Sequence, residues 1–330
     1  MYTRNEIDKR YYYDNIILIY LIILIILNCT YRMEGESQLE AKKRNRGDRR
    51  EARRIRDLDP MHQMMPYIMP NRCDAEVYMN ESIDVTDLLQ YIKGKNDANP
   101  EHRMTLFHVI LAAMSKTIIH RPYLNRFISG RRFYERNIVS LSFVAKKQFS
   151  DKGEESLMII RTGGETTLDE ISRQVEGEVK EVREAGGNDL DGILNLLVKL
   201  PRSLLRLFAA TLNTLEYFNK MPQFLSDMDP YYTTVLLANL GSIKCGAPYH
   251  HLTNYGTNSV IITIGEVHKE YILDKNGNPV VRDVVGIGIT LDERIGDGYY
   301  FAKSIKLLKY LLINPTLLEL PFKEEVSYDD

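Results

Sequence analysis

Beyond Pro60 the chain passes between helical and extended periodicities without settling into a strict strand-helix-strand rhythm, and this ordering narrows the available folds more than any other feature. Phe107, Ile110, Leu111, Met114 and Ile118 recur at helical spacing over Thr105 to His120, and Arg121-Pro122 ends that helix. A shorter amphipathic helix is predicted over Ser82 to Lys93, capped at Asp84 or Thr86. Thr167 and Glu170 form a capping box at the head of a helix over Thr166 to Ala185, which Gly186-Gly187 terminates. Leu190 to Phe218 is apolar and helical, broken at Pro201, with a Leu and Phe stripe that reads as core or subunit interface. Runs rich in β-branched and aromatic residues predict strands at 138–149, 156–161, 233–238, 260–265 and 280–291. The turn Asp274 to Asn278 joins the last two as a hairpin, and a closing helix spans Tyr299 to Leu312. The pattern predicts an α/β fold, a two-layer sandwich of a mixed β-sheet and helices, rather than a doubly wound nucleotide fold.

Charge and cysteine content exclude several classes. A formal net charge of -2 on 330 residues is not the basic excess of a phosphate-tracking protein, so a small molecule or protein partner is expected and nucleic acid is not. Cys29, Cys73 and Cys245 lack metal-like spacing, which predicts no disulfide framework, no metal and a reducing cytoplasm.

The N-terminus divides from the rest. The apolar run Ile16 to Leu27 would extend only about 18 Å as a helix, against about 30 Å of hydrocarbon. Adding Tyr11 to Tyr13 and Tyr31 as interfacial anchors makes residues 11–31 a marginal membrane tether, with the following basic flank keeping the main domain cytoplasmic. The other reading is a translation start at Met33. The expected organisation is therefore an apolar segment over 1–32, a charged linker over 33–59, a domain over 60–320 and a tail over 321–330.

Near the C-terminus stands Thr290-Leu291-Asp292-Glu293-Arg294-Ile295-Gly296-Asp297-Gly298, between a strand and an amphipathic helix. It resembles the Asp-His-Arg-x-x-Asp-Gly signature of the chloramphenicol acetyltransferase and 2-oxo acid dehydrogenase acyltransferase superfamily, with Glu293 at the histidine position. Further matches follow in the family's order. Ile83 to Leu88 is similar to an early strand-to-helix segment, Arg121-Pro122-Tyr123-Leu124-Asn125 to the His-Pro-x-Leu-Asn that ends the first long helix, and Ala238-Asn239-Leu240-Gly241 to a Ser-Asn-Leu-Gly strand end. Asn314-Pro315 through Leu318 is similar to the family's Asn-Pro-x-x-Leu ending. The matches span about Pro60 to Leu318, without a lipoyl attachment site or a subunit-binding domain ahead of them.

The resemblance implies a chloramphenicol acetyltransferase-like fold, a homotrimer with sites between subunits, and coenzyme A or acyl-coenzyme A as substrate beside a small-molecule acyl acceptor. It implies that the histidine takes a thiol proton and a serine or threonine hydroxyl donates to the oxyanion. An imidazole suits the first task because it titrates near neutral pH, whereas a free carboxylate, pKa about 4.3, is several units weaker as a base. Glu293 therefore needs burial to serve as base, and Ala238 removes the hydroxyl, with Thr234 or Ser242 the nearby substitutes. The resemblance gives Asp297 a structural role in pairing with an arginine, for which Arg72 is the choice, with Arg294 and Gly298 as further support. His251, beside His250 on the loop 248–256, is the alternative base. His108, on an apolar helix, reads as a satisfied core histidine.

Overall fold

The computed structural model describes residues 45–146, 155–185, 197–274 and 276–328. The expectations for residues 1–32, for 33–44 of the linker, for 147–149 of a strand, for 186–196 and for 329–330 of the tail fall outside them.

The described chain forms two units: Asn45–Asn188 with Pro230–Asp330, and a second that contains residues 197–229. The larger unit holds nine strands, β1 (Ala52–Arg54), β2 (Glu76–Asp84), β3 (Arg126–Ser129), β4 (Arg132–Arg136), β5 (Val139–Lys146), β6 (Glu155–Thr162), β7 (Val235–Asn239), β8 (Val260–Leu273) and β9 (Pro279–Asp292). Its helices are α1 (Pro60–Ile68), α2 (Thr86–Ala98), α3 (Leu106–His120), α4 (Leu168–Ala185) and α7 (Gly298–Ile313). The smaller unit carries α5 (Arg202–Tyr217) and α6 (Gln223–Met228).

Six strands form a sheet in the order β2-β9-β8-β7-β5-β6, with β7 parallel to both neighbours and every other pairing antiparallel. This is the mixed sheet of a two-layer α/β sandwich. Alternate residues of the central strands, among them Leu141, Val235, Leu237, Val260, Ile262, Ile287 and Ile289, join α2, α3, α4 and α7 in one core. The intervening Leu236 and Ile261 pack with Leu252 of the long β7–β8 loop on the opposite side. Burial on both faces explains why these strands read as continuous apolar runs.

The local signals act through identifiable contacts. Thr105 accepts the His108 backbone N–H at the head of α3, and the Glu170 carboxylate accepts the Thr167 N–H at the head of α4. Asp274 Oδ1 accepts the N–H groups of Asn276 and Asn278, fixing the β8–β9 turn. His108 is buried, its Nδ1 lies 2.9 Å from Ser172 Oγ, and burial pushes its pKa down.

Two expectations need correction. The segment 45–59 is not a solvated linker: β1 pairs with β4 in a second sheet of order β1-β4-β3, and Arg49 is 5% exposed. Its guanidinium lies 5.4 Å from the Phe127 ring centroid and 5.8 Å from that of Tyr134, and donates to Ser129 Oγ. A dense run of arginines hid a three-residue strand: Arg49 ahead of it packs on aromatics, while within it only Ala52 is buried and Arg53 and Arg54 stay exposed. Second, of the two readings of the Leu and Phe stripe after Pro201 the core one fails, since α5 has no buried residue; a single chain does not test the subunit-interface one.

Candidate functional site

The end of β9 turns into α7 through a single 3-10 turn, Glu293–Ile295. Asp292 is 0% exposed and its two oxygens take both arms of Arg294, Nε to Oδ1 and Nη2 to Oδ2, each at 2.7 Å. Arg294, 2% exposed, also donates from Nη1 to the Met69 carbonyl at 2.9 Å. The Arg72 Nε sits 3.8 Å from the same carboxylate, so two buried guanidinium groups share one anion. Arg72 is further held by donation to the carbonyls of Thr253 (2.7 Å) and Ile128 (3.4 Å).

Arg72 therefore pairs with Asp292, not with Asp297 as expected. Asp297 is exposed and caps α7, its Oδ1 accepting the Tyr300 N–H at 2.7 Å, with Gly298 as the first helical residue in open space. The reason is position. Each carboxylate accepts an N–H of the turn that follows it, Asp292 that of Arg294 at 3.2 Å, but the strand-terminal Asp292 is buried beside the two guanidinium groups whereas Asp297 is exposed.

Glu293 lies between the two buried charges and is itself half-buried. Its backbone N–H donates to the Ala75 carbonyl at 2.8 Å, and its carboxylate takes no hydrogen bond from any described residue. The histidine loop converges on the same segment. Asn254 Oδ1 accepts the N–H groups of Arg72 and Cys73, Cys73 Sγ donates to the Leu252 carbonyl at 2.8 Å, and the Leu252 N–H donates to the Glu76 carboxylate. Residues 72–76 thus carry the Glu293 turn on one side and the loop of His250 and His251 on the other. The two imidazoles are exposed and stacked, with centroids 4.9 Å apart. Burial, with the nearby Glu76 carboxylate, pushes the Cys73 thiol up, which disfavours a thiolate there.

The remaining matched residues act as joints. Arg121 donates to Ser304 Oγ and the Tyr300 carbonyl, and lies 3.9 Å from the Tyr300 ring centroid, tying the end of α3 to the start of α7. Burial pushes the Tyr300 phenol up to about 12. Buried Asn125 accepts the Thr234 hydroxyl at 2.7 Å and donates to the Arg136 carbonyl, so Thr234 is committed far from any surface. Ser242 donates to the Asn239 carbonyl. Gly241 is required by space, because a Cβ there would meet the Gly265 carbonyl oxygen at 2.5 Å.

Register separates the two strand ends. Ala238 stands opposite Thr263, which stands opposite Gly288, five residues before Glu293 on β9. Five strand steps and two strand spacings place Ala238 on the order of 20 Å from Glu293 in one chain. Beneath β9 a cavity of about 20 Å³ is lined by Met114, Leu124, Ile289, Leu291 and Phe301, among others, with room for about one water and no thioester. Among the described residues no three His, Cys, Asp or Glu side chains cluster as metal ligands.

Solved structures share this architecture. A probable dihydrolipoamide acetyltransferase from Listeria monocytogenes 4b F2365 superposes with a TM-score of 0.53 at 16% identity, over 77% of this chain and 89% of its own. The chain has the chloramphenicol acetyltransferase-like fold. A chloramphenicol acetyltransferase matches with a TM-score of 0.50 at 11% identity, over 79% of this chain and 99% of its own. The dihydrolipoamide acetyltransferase of Azotobacter vinelandii, solved to examine a serine, a histidine and an asparagine four positions after it in catalysis, gives 0.54 at 15% identity, over 81% and 95%. At these identities the likeness is one of fold. No protein-family profile and no curated protein sequence matches the chain.

The sequence reading missed Asp292 as the anchor, along with Glu76 and Asn254. A carboxylate and an arginine two positions apart at a strand end was the available signal for the first. The other two act through backbone N–H groups more than 170 residues away, which local pattern does not reveal.

Proposed function

We propose that the chain is an acyltransferase that moves an acyl group from a coenzyme A or lipoyl thioester to a small-molecule acceptor, with Glu293 as general base at the position where the family resemblance places a histidine. The observation that carries this reading is the division of labour within one turn. Asp292 and Arg294 are buried and committed to each other, whereas the carboxylate between them is half-buried and uncommitted among the described residues. Such a group is held at a fixed place with its lone pairs available.

In the proposed step the carboxylate takes the proton of the acceptor as its heteroatom attacks the thioester carbonyl. The tetrahedral oxyanion then collapses, the carbon–sulfur bond breaks, and the leaving thiolate recovers the proton. Because the end of β7 and Glu293 lie on the order of 20 Å apart in one chain, a site using both takes them from different copies. That geometry supports a homotrimer or larger ring. The cytoplasm is the proposed place of action.

A second reading is a non-catalytic relative that binds a thioester or a protein partner. It is favoured by one observation: Ala238 offers no hydroxyl to an oxyanion, and the Thr234 hydroxyl is already spent on Asn125. Purified protein incubated with acetyl-coenzyme A and a panel of thiols, amines and alcohols distinguishes the two through free-thiol release. Glu293→Gln is expected to lower turnover by about 100-fold or more with folding unchanged. Saturable binding without turnover in the parent chain establishes the second reading. Loss confined to His251→Ala moves the base to the histidine loop.

A further inference from the structure

Helix α5, in the smaller unit, differs from every helix of the core. None of its residues is fully buried, although Leu204, Leu205, Leu207, Phe208, Leu212 and Leu215 make a band covering well over 100° of its circumference, Leu207 exposed and the other five half-buried. Leu207 is 63% exposed, and Phe218 just beyond the helix is 62% exposed. The charges are one-sided. From Lys199 to Lys220 the chain carries four basic residues, Lys199, Arg202, Arg206 and Lys220, against the single acid Glu216, in a protein whose net charge is -2.

The position of the arginines adds a second argument. Arg202 is the first helical residue and Arg206 stands one turn on, with no acid in the first turn and no side-chain cap. Cations there oppose the positive end of the helix dipole, so they weaken the isolated helix. Their placement is accounted for by an external anion that offsets the dipole and the side-chain charge together.

We propose that α5 lies in the plane of an anionic membrane surface, with its leucine and phenylalanine band in the acyl boundary and Lys199, Arg202, Arg206 and Lys220 against lipid phosphates. Sixteen residues extend about 24 Å, short of the hydrocarbon thickness of about 30 Å, and no described helix is long and apolar enough to cross a membrane. The helix lies on the bilayer rather than through it. The inference is independent of the catalytic reading and of the apolar run at residues 16–27.

The test is flotation of the full chain with phosphatidylcholine vesicles, with and without phosphatidylglycerol. Binding is expected to require the anionic lipid and to fall with added salt. Arg202→Gln with Arg206→Gln removes charges that disfavour the helix, so it should fold, and it is expected to weaken binding to anionic vesicles by about tenfold or more. Phe208→Glu with Leu212→Glu is expected to abolish flotation, circular dichroism confirming a folded chain. Leu24→Arg, in the N-terminal run, should leave the dependence on α5 intact. Undiminished flotation of the arginine pair overturns the proposal. So does a change in oligomeric state of the α5 variants with vesicle binding intact, which would make a second copy the partner.

Discussion

The turns that end β9 and β7 begin alike and finish differently. Each core strand passes into a 3-10 turn, Glu293–Ile295 after β9 and Leu240–Ile243 after β7. The first buries Arg294 and Ile295 and is fastened by a carboxylate, two guanidinium groups and four backbone carbonyls. The second buries none of its residues and leaves through Lys244 in the left-handed region at φ 58°. Its tightest constraint is the approach of Gly241 to Gly265. One turn is built to hold a side chain in place, the other to let a long loop cross the sheet.

Removing the anchor tests the first half of that contrast most severely. Asp292→Asn leaves two buried cations without their shared anion and is expected to destabilise the protein by about 3–5 kcal/mol, read by denaturant unfolding. A loss under about 1 kcal/mol would show that the turn stands without its ion cluster. At the other turn, Gly241→Ala forces a Cβ against a carbonyl oxygen and should cost about 1–3 kcal/mol. An unchanged melting temperature would mean that the β7 end shifts freely, which would deepen the difference between the two turns.

Asp297→Ala removes only a helix cap and is expected to cost about 1 kcal/mol with turnover preserved. Loss of activity out of proportion to stability would return Asp297 to the site. The smallest effect lies away from both turns. Because burial holds the His108 pKa below its unfolded value, the unfolded chain binds the proton first as pH falls. Its contribution is present above about pH 6.5 and is lost as pH falls through the folded pKa. His108→Gln should flatten the stability profile between about pH 7 and 5, and an unaltered slope would assign acid sensitivity to other groups.

These contrasts also mark what local pattern conveys. Helix limits were legible where each has its own chemistry nearby: Thr105 before α3 and Thr167 with Glu170 before α4. The central strands were legible because burial on both faces makes their apolar runs continuous. Strand β1 was not, since Arg49, Arg53 and Arg54 read as solvent-facing until Phe127 and Tyr134 are placed beneath Arg49. At the site, the turn from the last strand into the last helix was legible, while the choice between Asp292 and Asp297 as partner of Arg72 was not. That choice depends on which carboxylate faces the interior, and a segment of nine residues does not encode the neighbours from Met69, Arg72 and Thr253 that decide it.

The main-chain bond from residue 293 to Ala75 has a consequence for how this scaffold changes its chemistry. The turn is fixed by peptide groups and by the residues on either side, and no hydrogen bond of the side chain at 293 to a described residue adds to that hold. A change of side chain there, carboxylate for imidazole included, is expected to leave the architecture of the turn standing.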